Sequence, residues 1–143
     1  MGMFKYVRES FQQSVSKHSD TFKARLQKWR KQPSIVRVEN PTNTVRAHEL
    51  GYKAKKEFVV VRIRVSKGKR TRPAAALGRK PGKNVKRVSP GFSLQNLAEQ
   101  RTAVKYPNLK VVNSYLAGMD GTHKYFEVIL HNDFIASKPN RPR

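Results

Sequence analysis

The sequence predicts an α+β fold: a small, mainly antiparallel sheet packed with helices, plus a long basic loop. Three observations predict it. Apolar residues recur at helical spacing in the first part of the chain, Phe4, Val7, Phe11 and Val15 among them. Residues 58–66 and the last part of the chain alternate with period 2 instead. Between these, Ser66 to Pro90 holds nine Lys or Arg, three glycines and three prolines, and no acid. Its few apolar residues keep no period, so it cannot bury enough to order itself.

The elements follow in order. "SKHSD" breaks the first helix, and Ser19 or Asp20 can cap a second one. Phe22, Leu26 and Trp29 give that helix a core face, and Pro33 stops it. Ile35, Val36 and Val38 read as a short strand. Pro41 to Leu50 reads as a weak helical turn ended by Gly51. In "FVVVRIRVS" one face carries Val59, Val61, Ile63 and Val65, the core side. The other carries Phe58, Val60, Arg62, Arg64 and Ser66. Arg62 and Arg64 therefore share a face, about 6.7 Å apart at the usual strand rise, and two parallel guanidiniums can reach two oxygen anions. Past the loop, Ser93 caps a helix bearing Leu94, Leu97, Ala98 and Val104, which ends before Pro107. "LKVVNSYLA" and "HKYFEVIL" are two closing strands, with Asp120-Gly121 as the hairpin signal between them.

At 143 residues, one domain spanning 1–143 is expected. The 31 Lys plus Arg against 9 Asp plus Glu give a formal charge of +22, which says little about fold but points to a polyanionic partner. From Phe58 to Ala98 there are eleven Lys or Arg and no acid, whereas a merely solubilising surface mixes both signs. The absence of cysteine excludes disulfides and cysteine-based zinc sites. Met1-Gly2 lacks the Ser or Thr that the myristoylation motif has at position 6, which is Tyr6. No apolar run has the length of a membrane span or the form of a signal peptide, so a soluble, cytoplasmic protein without membrane contact is expected.

Catalytic motifs fail on inspection. His48-Glu49 begins a zinc-protease pattern, but Tyr52 stands where the second histidine belongs. "GRKPGKN" is one residue short of a phosphate-binding loop between Gly78 and Gly82, and Asn84 replaces its magnesium-binding hydroxyl. His131 and Asp133 read as strand-end surface. No enzyme activity, small-molecule substrate, cofactor or metal is expected. Phe58, Phe22 and Trp29 read as packing residues.

"MGMFKYVRESF", "LQKWRKQPSIVRVENPT", "ELGYKAKKEFVVVRIRVSKGKR", "NLAEQRTAVKYPNLKVVNSYLAG" and "KYFEVIL" occur in that order. Together they closely resemble the L-fifteen-e family of large-subunit ribosomal proteins of archaea and eukaryotes. The resemblance runs from Met1 to about Leu130 and is strongest over Leu50 to Lys55 and the strand that follows. It implies a structural constituent of the large ribosomal subunit, an α+β domain with extensions that run into ribosomal RNA, residing in the cytoplasm within the ribosome. Its implied partners are large-subunit rRNA and neighbouring ribosomal proteins; a monomer off the ribosome is the default for a protein that docks into a larger particle. It also implies RNA contact at Lys53, Lys55, Arg62, Arg64, Lys67, Lys69, Arg70 and Arg72. A looser match extends this to the basic loop, at Arg79, Lys80, Lys83, Lys86 and Arg87. A different reading of the charge alone is a chromatin-like protein that binds duplex DNA nonspecifically.

Overall fold

A computed structural model describes residues 2–68 and 89–133. Two helices come first: α1 (Met3–Ser16) and α2 (Asp20–Lys31). Then follow β1 (Ile35–Val38), α3 (Thr44–Glu49), β2 (Phe58–Ser66), α4 (Leu94–Lys105), β3 (Lys110–Met119) and β4 (His123–His131). The four strands form one antiparallel sheet in the order β1-β2-β4-β3. This is the α+β architecture that the sequence predicts.

Local chemistry sets the helix ends. The Ser19 hydroxyl accepts from the Phe22 amide at 3.3 Å, capping α2, and Asp20 lies in its first turn while Lys28, Arg30 and Lys31 lie in its last. Each sign sits where the helix dipole favours it. Asn43 caps α3 through the Arg46 amide at 3.0 Å, and Ser93 caps α4 through the Asn96 amide at 3.1 Å. The end of α3 is a Schellman motif. Gly51 takes φ +95° and its amide donates to the His48 carbonyl, while the Tyr52 amide reaches back to the Ala47 carbonyl at 2.9 Å.

The sheet is covered on both faces. On one, Phe22, Leu26 and Trp29 of α2, Ala47 of α3 and Tyr52 pack on Val60, Tyr115, Ala117, Tyr125 and Ile129. On the other, Ala98 of α4, flanked by Leu94 and Leu97, packs on Val61, Ile63, Val65, Phe126, Val128 and Leu130. This explains why Tyr125 to Leu130 are all buried: β4 is a central strand with helices on either side. The sequence assigned core to the Val59–Val65 face alone; the opposite face, bearing Arg62 and Arg64, lies under α2. Val104 also departs from the sequence reading. It is 83 % exposed, and the core slot one turn beyond Ala98 is filled by Thr102, whose hydroxyl donates to the Ala98 carbonyl at 2.8 Å.

The edge strand β3 carries register shifts between Val111 and Asn113 and between Leu116 and Gly118. Each leaves one extra residue unpaired, as a bulge does, and bulges twist an edge away from further pairing. The second shift presents Gly118 to α2: a Cβ there would lie 3.1 Å from both the Phe22 and the Trp29 rings. The hairpin from β3 to β4 turns at Asp120, whose carboxylate accepts from the amides of Thr122 (2.9 Å) and His123 (2.6 Å).

Candidate nucleic-acid interface

The cations of the described residues divide according to whether the protein itself neutralises them. Glu49 takes Arg8 and Arg46, Asp20 takes Lys23 at 3.3 Å, and Asp133 takes Lys110 at 3.9 Å. Asp120 takes Arg30 at 3.2 Å. Lys53, Lys55, Lys56, Lys31, Lys67 and Lys124 make no ion pair within the described residues. A cation without a protein partner keeps its full charge for an external anion; Lys5, Lys17, Arg25, Lys28, Arg37, Arg101 and Lys105 are likewise without an ion pair among the described residues, and the lysines that flank β2 are the subset adjoining the residues the sequence singled out.

Arg62 belongs to the first group. Its side chain is 11 % exposed, with its guanidinium carbon 4.5 Å from the centroid of the Trp29 ring. Nη2 donates to Gln32 Oε1 at 2.7 Å, and Nη1 lies 3.7 Å from the carboxylate of Glu127. Burial pushes the guanidinium below its ordinary pKa, with Glu127 pulling the other way. Glu127 is itself fully buried and further receives the Tyr115 hydroxyl, the Thr42 hydroxyl and the Thr42 amide at 2.9 Å. All four donors of this arrangement are internal, so Arg62 ties α2 to the sheet. Arg64, two residues on, has a mixed role. Nη1 donates to the Arg30 carbonyl at 2.8 Å, in the last turn of α2, where a cation is favoured. The residue remains partly exposed and has no acid partner among the described residues.

The Schellman turn positions the next group. Gly51 reverses the chain after α3 and Tyr52 enters the core, with its ring 6.2 Å from that of Phe58. The segment between Tyr52 and Phe58 is thereby pinned at both ends, and Lys53, Lys55 and Lys56 stand exposed on it. Phe58 packs between Tyr52 and His131, whose ring centroid is 4.8 Å away, in keeping with a packing role. Glu57 turns towards His131, its carboxylate 4.0 Å from Nε2, and so away from the three lysines in its own pairing.

At the other end of β2 the Lys67 amide donates to the Thr122 carbonyl at 2.9 Å, fixing the strand exit against the β3–β4 turn. Lys124 lies opposite Val65 in the ladder, on the sheet face that α4 covers, whereas Lys31 ends α2 on the other face. Sequence reasoning passed over Lys31, Lys56 and Lys124. Lys56 adjoins residues it chose, but the proximity of Lys124 to Lys67 arises only from the strand pairing. Lys69, Arg70, Arg72, Arg79, Lys80, Lys83, Lys86 and Arg87 lie outside the described residues.

Among the described residues no group of three or more His, Cys, Asp or Glu side chains is disposed to hold a metal ion, and no helix is long and apolar enough to cross a membrane. His131 and Asp133, 2.6 Å apart, form an exposed pair that also involves Lys110. In the comparison with known families, the model of the family described as Ribosomal L15 matches residues 2–140 of the chain.

Proposed function

The chain belongs to the Ribosomal L15 family, of the L-fifteen-e type, and on that premise we propose that it docks on large-subunit ribosomal RNA mainly by phosphate contact. Membership implies a structural protein of the large ribosomal subunit, with ribosomal RNA and ribosomal proteins as partners. The finer reading assigns the contacts to Lys53, Lys55, Arg64 and Lys67, continued by Lys69, Arg70, Arg72, Arg79, Lys80, Lys83, Lys86 and Arg87. Arg62 is left out because its guanidinium already has Gln32, Glu127 and Trp29 as partners.

The observation that carries this reading is the sorting of charge. Glu49, Asp20, Asp120, Glu127 and Asp133 pair with cations elsewhere, while the lysines flanking β2 stand without counter-ions among the described residues. Phosphate contacts of this kind position a protein on folded RNA and read no sequence. Selectivity for one RNA then rests on shape: several cations held at fixed separations match only a backbone folded to the same separations.

A salt titration of binding to large-subunit rRNA, beside unrelated RNA of equal length and duplex DNA, tests the proposal. With eight phosphates neutralised, the log–log slope is about −6 to −7. A preference for the large-subunit RNA that persists at moderate salt is the expected result. Three superimposable curves would reduce the protein to a nonspecific polycation.

A further inference from the structure

The two edges of the sheet are guarded unequally. β3 carries two register shifts, which turn an edge away from further pairing. β1 pairs with β2 in unbroken register, from Ile35–Ile63 to Val38–Val60, and has no such device. The Arg64 amide donates to the Ser34 carbonyl at 2.8 Å. Bonded and non-bonded pairs alternate along an antiparallel ladder, so Val36 and Val38 commit their main-chain groups to β2, while those of Ile35 and Arg37 point outward. The Ile35 carbonyl agrees with this phase, because it accepts from Lys105 Nζ of α4 at 3.4 Å. The Ile35 amide and both main-chain groups of Arg37 have no hydrogen-bond partner among the described residues.

The side chains along this edge are also sorted. Arg37 pairs with Val61 and so stands on the α4 face, where it is exposed; Val36 and Val38 are half-buried on the opposite face. Arg37 has no ion pair among the described residues, and neither has Lys105 at the end of α4 or Arg101 one turn before it. Where β1 parts from β2 there is a cavity of about 360 Å³, lined by Arg37, Val38, Glu39, Phe58, Val59 and Val60.

We propose that the free edge of β1 accepts an extended segment of a partner protein as a further strand, and that this segment alternates acidic and apolar residues. The main chain of the added strand bonds Ile35 and Arg37. Its acids fall opposite those two residues, beside Arg37, Arg101 and Lys105, and its apolar side chains fall opposite Val36 and Val38. The cavity at the end of β1 takes the next apolar side chain. A second copy of the chain does not fit this edge, because each copy carries a charge of +22. RNA could meet the cations but has no row of alternating N–H and C=O groups to match the strand. The inference stands apart from the RNA-binding reading above.

Amide hydrogen exchange on the full-length chain tests it, with a blocked hexapeptide alternating valine and glutamate as the probe. In the free protein the Arg37 amide is expected to exchange as an open site. The peptide is expected to protect it, together with the Ile35 amide. An analogue N-methylated at each glutamate keeps the charge and the side chains but lacks those donors, and is expected to give no protection. Arg37→Ala removes the charge alone and should weaken peptide binding by no more than about fivefold. Arg37→Pro also removes the outward N–H while sparing the ladder to β2, and should bind about fivefold more weakly again. Equal binding of the two peptides, or of the two variants, would reduce the edge to a charge patch and overturn the proposal. So would an Arg37 amide already protected in the free protein, which would mean that this chain or a second copy covers the edge. Protection of the same amide by a short single-stranded RNA and not by the peptide would assign the edge to nucleic acid instead. The peptide comparison needs no substitution in the protein and so holds even if Arg37→Pro fails to fold.

Discussion

The guanidinium of Arg62 stacks on Trp29, its central carbon 4.5 Å from the ring centroid, while Nη1 stays 3.7 Å from the buried carboxylate of Glu127. One side chain thus meets an aromatic face from α2 and a carboxylate from β4. Guanidinium suits this because it is planar, weakly hydrated and able to donate sideways while its face is stacked. The contact converts an arginine in a strand into a clasp between layers.

Removing that clasp should cost stability more than RNA affinity. Arg62→Ala leaves Glu127 buried with its cation gone, and breaking a buried pair in this way costs about 3–5 kcal/mol. Urea unfolding of R62A should show a midpoint lowered accordingly. RNA binding by the folded fraction, measured well below the transition, should keep its salt slope. A stable R62A protein with a reduced slope would return Arg62 to the RNA surface.

The same helix sets a second, steric requirement. A methyl group at Gly118 would stand 3.1 Å from two aromatic rings that are themselves buried. Overpacking of a well-filled core costs about 1–3 kcal/mol, so Gly118→Ala should lower the urea midpoint with an unchanged m-value. An unaltered midpoint would mean that α2 can lift from β3 at no cost.

Much of this was legible in the sequence, because it is local. The period of Val59 to Val65, the Asp120-Gly121 turn, the Ser19 and Ser93 caps and the helix stop at Gly51 each depend on a few neighbouring residues. The stripe of Phe22, Leu26 and Trp29 likewise showed that α2 has a core face. What the stripe could not show is which sheet face it covers, and that choice decides the fate of Arg62. Alternation along β2 gives a residue's side of the sheet but not what lies above that side. For the same reason the cations near Lys67 were only partly visible: Lys124 comes to it through β-pairing across a long stretch of sequence. The Lys53–Lys56 cluster was easier, since Tyr52 and Phe58 pin it within one short segment.

Acid and alkali should unfold the protein through different groups. Burial alone would raise the Asp120 carboxyl, but hydrogen bonds from the His123 and Thr122 amides, from Arg30 and from the Tyr125 hydroxyl outweigh it and hold the pKa well below its ordinary 3.8. Because the folded value is the lower one, this stabilisation is present above the unfolded value and is lost as pH falls through the folded one. Asp120→Asn should therefore be less stable at neutral pH and lose less on acidification below about pH 4. Tyr115 has the opposite sign. Burial, then the Glu127 carboxylate, raises its phenol far above the ordinary 10.0. Its contribution is present below that value and lost as pH rises beyond it, so Tyr115→Phe should flatten the alkaline limb. Stability curves of wild type, D120N and Y115F across pH, each from urea unfolding, would check both limbs; parallel curves would remove these two groups from the account.

Salt dependence separates cations that touch phosphate from those that only add charge. Each phosphate contact contributes about 0.7 to 0.9 to the slope of log affinity against log salt. If Lys53, Lys55 and Lys67 each hold one phosphate, the triple alanine variant should bind large-subunit rRNA with a slope shallower by about 2 to 3. Lys5, Lys17 and Arg101 are equally charged and stand on α1, the turn after it and α4. Their replacement lowers the long-range attraction, which is screened beyond about 8 Å at physiological salt, and so should weaken binding at low salt while leaving the slope within about one unit of the wild type. Equal changes of slope in the two variants would mean that the RNA meets a diffuse cationic surface, and that position beside β2 does not mark the contact residues.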